Sequence, residues 1–227
     1  LQQNHKAGST YSYAGFDQLV AVSSGIIRHF LAPAQEMYSL AITELGANED
    51  NITSIKPSIQ DEVIKKYSNN YLVGEFEKLK KDIDNNNTRQ IQLEKLYRMI
   101  DSLGQLFHLQ LTSNSSERRV FSVAITDTPD DEMNEIIDMG EQLGYFHKST
   151  IGNKTGTGRN RLIILSRILA PHFKLDATSF AGYKFMDSAK LRMAMIDTKR
   201  FLAQFKFTED DSSSATQLLL FDGNNPI

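Results

Sequence analysis

Residues 145–175 carry Lys148, Lys154, Arg159, Arg161, Arg167 and Lys174 and not one acidic side chain. The whole chain has a formal charge of −3, so positive charge is concentrated in this stretch against the average. At its centre lies Ile151-Gly-Asn-Lys-Thr-Gly-Thr-Gly-Arg-Asn160. The runs on either side, Tyr145–Lys148 and Arg161–Leu165, have β-type composition. A glycine-rich loop between two such runs predicts a β-hairpin. Any fold for this chain must therefore present a basic hairpin loop.

Composition sets the frame around it. A length of 227 residues accommodates one large or two small domains, and 40% apolar residues supply a sizeable core. Only 5 Pro and 13 Gly predict a largely helical chain with few breaks. With 0 Cys there is neither a disulfide framework nor a cysteine-based zinc site. No apolar run approaches the length of a membrane span and no signal-peptide pattern opens the chain, so a cytoplasmic location is expected. The first residue is Leu1 rather than Met, which reads as a piece of a longer protein.

Helical spacing begins at Phe16 and continues through Leu19, Val20, Ile26, Ile27, Phe30, Leu31, Ala34, Met37, Tyr38, Ala41 and Ile42. Ser23-Ser24-Gly25 interrupts it, with Ser24 expected as the cap of a new helix. A second helix is expected after Pro57, capped by Ser58 and bent near Gly74. Asp84–Thr88 is a break and a candidate domain boundary. A strong helix follows, with Leu93, Leu96, Tyr97, Ile100, Leu103 and Phe107 on one face. Then come a β-type run at Val120–Ile125 and a helix from Thr128 as cap and Pro129 as first residue to about Leu143. The hairpin follows, and residues 187–205 are helical again with Asp187 or Ser188 as cap.

Helix, strand, helix, strand, loop, strand is winged-helix order, although residues 126–131 leave little room for the further short helix usual in that fold. On this reading residues 151–160 are the wing. Glycines bring a wing's backbone close to a duplex, and flanking Lys and Arg neutralise phosphates and release counterions. The leading candidate partner is double-stranded DNA, held by Lys148, Lys154, Arg159 and Arg161 with Arg167 and Lys174 as secondary positions. A hairpin loop on a basic surface patch is the plainer alternative. Between Val120 and His147 lie Asp127, Asp130, Asp131, Glu132, Glu135, Asp138 and Glu141 and no Lys or Arg. A helix of that composition repels phosphate and lacks the donors of a major-groove reader. It is a solvated face or a dock for a basic partner.

Ser24-Gly-Ile-Ile-Arg28 places an arginine one turn into a helix after a permissive glycine, where it can reach an anion at the helix start. The pattern resembles the Gly-x-x-Arg sensor motif that opens the lid helix of AAA+ ATPases, where the arginine contacts the terminal phosphate. The runs Tyr13–Val20, Ser23–Leu31 and Gly158–Asp176 resemble origin-recognition-type AAA+ ATPases of bacteria, including ones associated with mobile elements and defence loci. The resemblance implies a mainly α chain with a small β-hairpin: a helical lid-like domain over 1–84, then a winged-helix domain with a C-terminal helix over 85–206. It also implies Arg28 as a nucleotide-sensing residue and a replication, mobile-element or defence context. The chain contains no phosphate-binding Gly-x-x-x-x-Gly-Lys-Ser/Thr motif, so it is not expected to hydrolyse ATP by itself. No cofactor is expected in it; ATP and Mg would belong to an ATPase core elsewhere in the full protein.

Residues 207–227 read as an acidic, Ser-rich linker and a terminal peptide. Gln217-Leu218-Leu219-Leu220-Phe221 is similar to the pentapeptide by which bacterial replication and repair proteins bind the sliding clamp. Gln217 would fix orientation while Leu218, Leu220 and Phe221 fill apolar pockets. A terminal strand tucked onto the domain is the competing reading. A second class of function thus stands beside the first: a protein-interaction module recruiting partners through the acidic helix and this peptide. A homo-oligomer is compatible with either. His5, His29, His108, His147 and His172 have no metal-ligand spacing, and no nucleophile motif surrounds Ser23 or Ser24. Tyr145, Phe146 and Tyr183 are the aromatic residues open to a base-stacking role.

Overall fold

A computed structural model of the chain describes residues 12–45, 52–82, 87–113, 119–152, 158–178 and 182–205. The wing residue Lys154 and the peptide Gln217–Phe221 lie outside the described residues.

Among them the chain is mainly helical with a small mixed sheet. The N-terminal helices are α1 (Phe16–Ser23), α2 (Ile27–Leu45) and α3 (Pro57–Asn69). One π turn, Asn70–Gly74, joins α3 to α4 (Glu75–Asp82) and is the form taken by the bend expected near Gly74. Three expected caps shift. Ser24 closes α1 in the left-handed region at φ 53 instead of opening α2. Lys56 rather than Ser58 precedes α3, with Pro57 as first residue, where its missing N–H costs nothing. Asp130 rather than Thr128 caps the acidic helix, accepting from the Met133 N–H at 3.0 Å.

The second half is built on α5 (Asn87–Thr112), whose Leu93, Leu96, Ile100, Leu103 and Phe107 are each no more than 2% exposed. Strand β1 (Val120–Ile125), helix α6 (Asp131–Gln142), strands β2 (Phe146–Gly152) and β3 (Arg159–Leu165), strand β4 (Gly182–Met186) and helices α7 (Ser188–Ile196) and α8 (Thr198–Ala203) follow. The sheet order is β2-β3-β1-β4. Strand β3 is antiparallel to both β2 and β1, and β4 runs parallel to β1. The sheet therefore extends the expected hairpin by two strands. No helix forms among residues 126–130.

Residues in register share a face. Lys148 pairs with Ile163, Thr150 with Arg161 and Gly152 with Arg159, on the face that carries α6. His147 and Ile164, Ser149 and Leu162 point the other way. Asp127 accepts from the Ser188 N–H at 2.8 Å, Asp187 caps α7 and Asp197 caps α8. One continuous hydrophobic core runs from Tyr13, Leu19 and Val63 through Leu72 and Leu96 to Ile137, Leu165 and Phe201.

Candidate nucleic-acid interface

The described basic residues of 145–175 do not form one patch. Lys148 is ion-paired to Asp138 at 2.9 Å and to Glu141 at 2.5 Å. Those hydrogen bonds, Glu141 first and Asp138 second, hold its ammonium above the usual lysine range. One register step toward the loop, Arg161 donates to the Asn134 side chain of α6 at 2.5 Å. A further step on, exposed Arg159 donates through Nε to Thr150 Oγ1 at 2.8 Å. These three cations form a row on one sheet face. Along it the compensation falls from two carboxylates, to a neutral amide, to a hydroxyl. Uncompensated positive charge is thus greatest at the mouth of the loop.

Arg167 and Lys174 lie elsewhere. The backbone N–H of Arg167 donates to Ser24 Oγ at 2.9 Å and its guanidinium to the Ala177 carbonyl at 2.9 Å, so it fastens the sheet to the α1–α2 corner. An open groove of about 350 Å³ follows this joint, lined by Val20, Ser24, Gly25, His147, Ile164 and Arg167. Lys174 is exposed and takes a left-handed conformation at φ 54.

The acids of α6 are mostly occupied. Lys95 of α5 pairs with Glu132, and Arg192 of α7 pairs with both Asp130 and Glu132. Gln92 donates to Glu135 at 2.6 Å. Lys148 takes Asp138 and Glu141. The Met133 N–H first, and then Arg192, holds Asp130 below the usual carboxylate range; Lys95 does the same for Glu132. Three cations from three other elements thus pair with Asp130, Glu132, Asp138 and Glu141 and leave the helix acidic, a long-range pairing that the sequence spacing does not reveal.

Arg28 stands on the second residue of α2, exposed to solvent. Gly25, at φ 76, lets the chain turn tightly before it. Beneath it His29 is 1% exposed, its Nδ1 3.1 Å from the Tyr67 hydroxyl and its ring edge-on to Tyr71. Burial first, and the Arg28 charge second, lower His29 to about 4. Tyr71 Oη donates to the Leu143 carbonyl at 2.9 Å, and Tyr145 Oη donates to the Tyr71 carbonyl at 3.0 Å. Burial pushes the Tyr71 hydroxyl up to about 12 and raises Tyr145 as well. This aromatic chain connects the helix bearing Arg28 to the start of β2.

Of the aromatic residues open to base stacking, Tyr145 and Phe146 are no more than 1% exposed and serve as core. Only Tyr183 stays half-buried, on the sheet face away from α6.

The family model described as ORC-CDC6-like matches residues 2–185. The chain belongs to the ORC-CDC6-like family. This agrees with the origin-recognition-like resemblance carried by Ser23–Leu31 and Gly158–Asp176. No curated protein and no solved structure matches the chain. Among the described residues of this ORC-CDC6-like chain, no helix is long and apolar enough to cross a membrane.

Proposed function

We propose that this ORC-CDC6-like chain is the lid-like and winged-helix portion of an AAA+ protein and grips duplex DNA by its phosphate backbone. The observation that carries the reading is the cationic row Lys148, Arg161, Arg159, whose positive charge is least compensated at the loop. The order α5, β1, α6, β2, β3, with β3 between β1 and β2, supports a winged-helix assignment. The departures are the missing helix at 126–130 and the added parallel strand β4.

Arg159 and Arg161 are the principal phosphate contacts, joined by Lys154 from the loop. Lys148 acts by anchoring α6 to β2. Helix α6, still acidic after its ion pairs, presents carboxylates rather than Arg, Lys, Asn or Gln pairs to base edges, so binding depends on backbone and shape more than on sequence. Exposed Arg28 at the start of α2 is the residue of this chain suited to the terminal phosphate of a nucleotide held by an ATPase core. ATP and Mg would act there, in a replication, mobile-element or phage-defence setting inside the cell.

The alternative is an interaction module working through the acidic helix and the Gln217–Phe221 peptide. The pairing of Asp130, Glu132, Asp138 and Glu141 within the fold counts against the first of those surfaces. Titrating labelled duplexes of unrelated sequence at several salt concentrations separates the two. A backbone gripper binds all of them with affinity falling linearly in log-log form with salt. An interaction module leaves them unbound even at low salt.

A further inference from the structure

On the second face of the sheet, α1 borders the β2–β3 side, where Val20 and Ala21 line a groove with His147 and Ile164, while the described helix packed on β1 is α5, on the first face. The residues that meet α5 and α6 include Phe121, Lys148, Arg161 and Lys184: Phe121 lies against Phe107, Lys184 donates to Gln110 at 2.7 Å, and Lys148 and Arg161 reach α6. The opposite side chains come in two rows across the strands. Tyr183, Ser122, Ile164 and His147 form one; Phe185, Ala124, Leu162 and Ser149 form the other. Small Ser122 and Ala124 lie buried along the middle, while Tyr183, Phe185, Leu162 and Ile164 rise half-buried on either side. The result is an apolar trough bordered by β4, one of the sheet's two edge strands.

The chain itself supplies an occupant. The last described residue, Phe205, packs edge-on to Phe201 and lies under the Lys184 ammonium at 5.1 Å, so the polypeptide leaves the domain beside β4. Beyond it, the dozen residues 206–217 extend up to about 40 Å, more than enough to pass round one strand edge. They are followed by Leu218-Leu219-Leu220-Phe221, the most apolar segment of the tail and free of charge.

We propose that the chain's own residues 217–221 dock on this trough, laying leucine and phenylalanine side chains against Tyr183, Phe185, Leu162 and Ile164. The short tether keeps the segment at high local concentration, so a partner that recognises the same peptide must first displace it from the sheet. The trough is then a self-masking site for the tail.

Because the chain contains no cysteine, Leu220→Cys can carry a single environment-sensitive fluorophore on the full chain. The expected result is blue-shifted, concentration-independent emission, abolished by Phe185→Ser or Leu162→Ser and by excess Gln-Leu-Leu-Leu-Phe peptide. Emission of a solvent-exposed label overturns the proposal. So does a blue shift that survives both sheet substitutions, or one that appears only as concentration rises and so reports a second copy. Hydrogen exchange gives a readout that leaves the core untouched. Deleting 217–221 should raise amide exchange in Gly182–Met186 and leave α3 unchanged; unaltered exchange in β4 overturns the proposal.

Discussion

Tyr71 and Tyr145 are tied reciprocally across the two halves of the chain: Tyr71 Oη donates to the Leu143 carbonyl at 2.9 Å, and Tyr145 Oη donates to the Tyr71 carbonyl at 3.0 Å. Gly144 lies between these two bonds at φ 80, and a Cβ there would stand 2.7 Å from the Tyr71 hydroxyl. Tyr71→Phe should destabilise by about 1–2 kcal/mol, because it leaves the Leu143 carbonyl without its partner. Gly144→Ala should cost at least about 1 kcal/mol from backbone strain alone. Removing the hydroxyl also removes the clash, so the double variant should be destabilised by less than the sum of the two single variants. Chemical denaturation of the four proteins checks this; strict additivity would mean the two sites do not meet.

Stability should fall on mild acidification. His29 and His172 are both lowered to about 4, by burial foremost. An unfolded histidine titrates near 6.5, so between about pH 6.5 and 4 the unfolded chain binds more protons than the folded one. The stability these groups contribute is fully present above about pH 6.5 and declines as pH falls toward 4. For His29, 1% exposed, the decline is up to about 3 kcal/mol. His29→Phe should flatten the pH dependence of unfolding free energy over that window; an unchanged slope would remove His29 as a cause.

The ion pairs of Lys148 make a prediction opposite to that from a plain basic patch. Lys148→Ala should weaken DNA binding little, because its ammonium is already engaged by two carboxylates. Asp138→Asn with Glu141→Gln should strengthen binding by freeing that ammonium and removing two negative charges. Both changes should alter stability by no more than about 1 kcal/mol, as expected for exposed pairs. Anisotropy titrations at fixed salt read the affinities. If Lys148→Ala weakens binding as much as Arg159→Ala does, Lys148 is a phosphate ligand after all.

Gly104 tests the packing beneath the sheet. Alanine favours helix over glycine by about 1 kcal/mol. A Cβ at position 104, however, would stand 2.5 Å from the ring of Phe173, which is 2% exposed. Overpacking of a buried ring costs about 1–3 kcal/mol, so Gly104→Ala should lower the melting temperature despite the better helix former. A raised melting temperature would show that the ring yields freely.

Local periodicity made much of this fold legible. Helix α5 is marked by Leu93, Leu96, Ile100, Leu103 and Phe107, and the hairpin by two β-type runs about a glycine-rich loop. Strand β4 was not legible, because Gly182–Met186 has no clean alternation and pairs with a strand some 60 residues earlier. The cap expected at Ser24 moved because Ser24 serves a tertiary bond, accepting from the Arg167 N–H, rather than a helix start. The candidate site divided for the same reason. Sequence spacing places six cations in an acid-free stretch, but the partners of Lys148, Arg161 and Arg167 come from α6, from the α1–α2 corner and from residue 177.

Phosphate gripping at the loop mouth is tested most directly by the salt dependence of duplex binding, measured on the full chain and on the variant carrying Lys154→Ala and Arg159→Ala. The variant should bind every duplex more weakly, with a slope shallower by about 0.9 for each phosphate it no longer neutralises. Affinity and slope equal to those of the parent would contradict a phosphate grip at the loop.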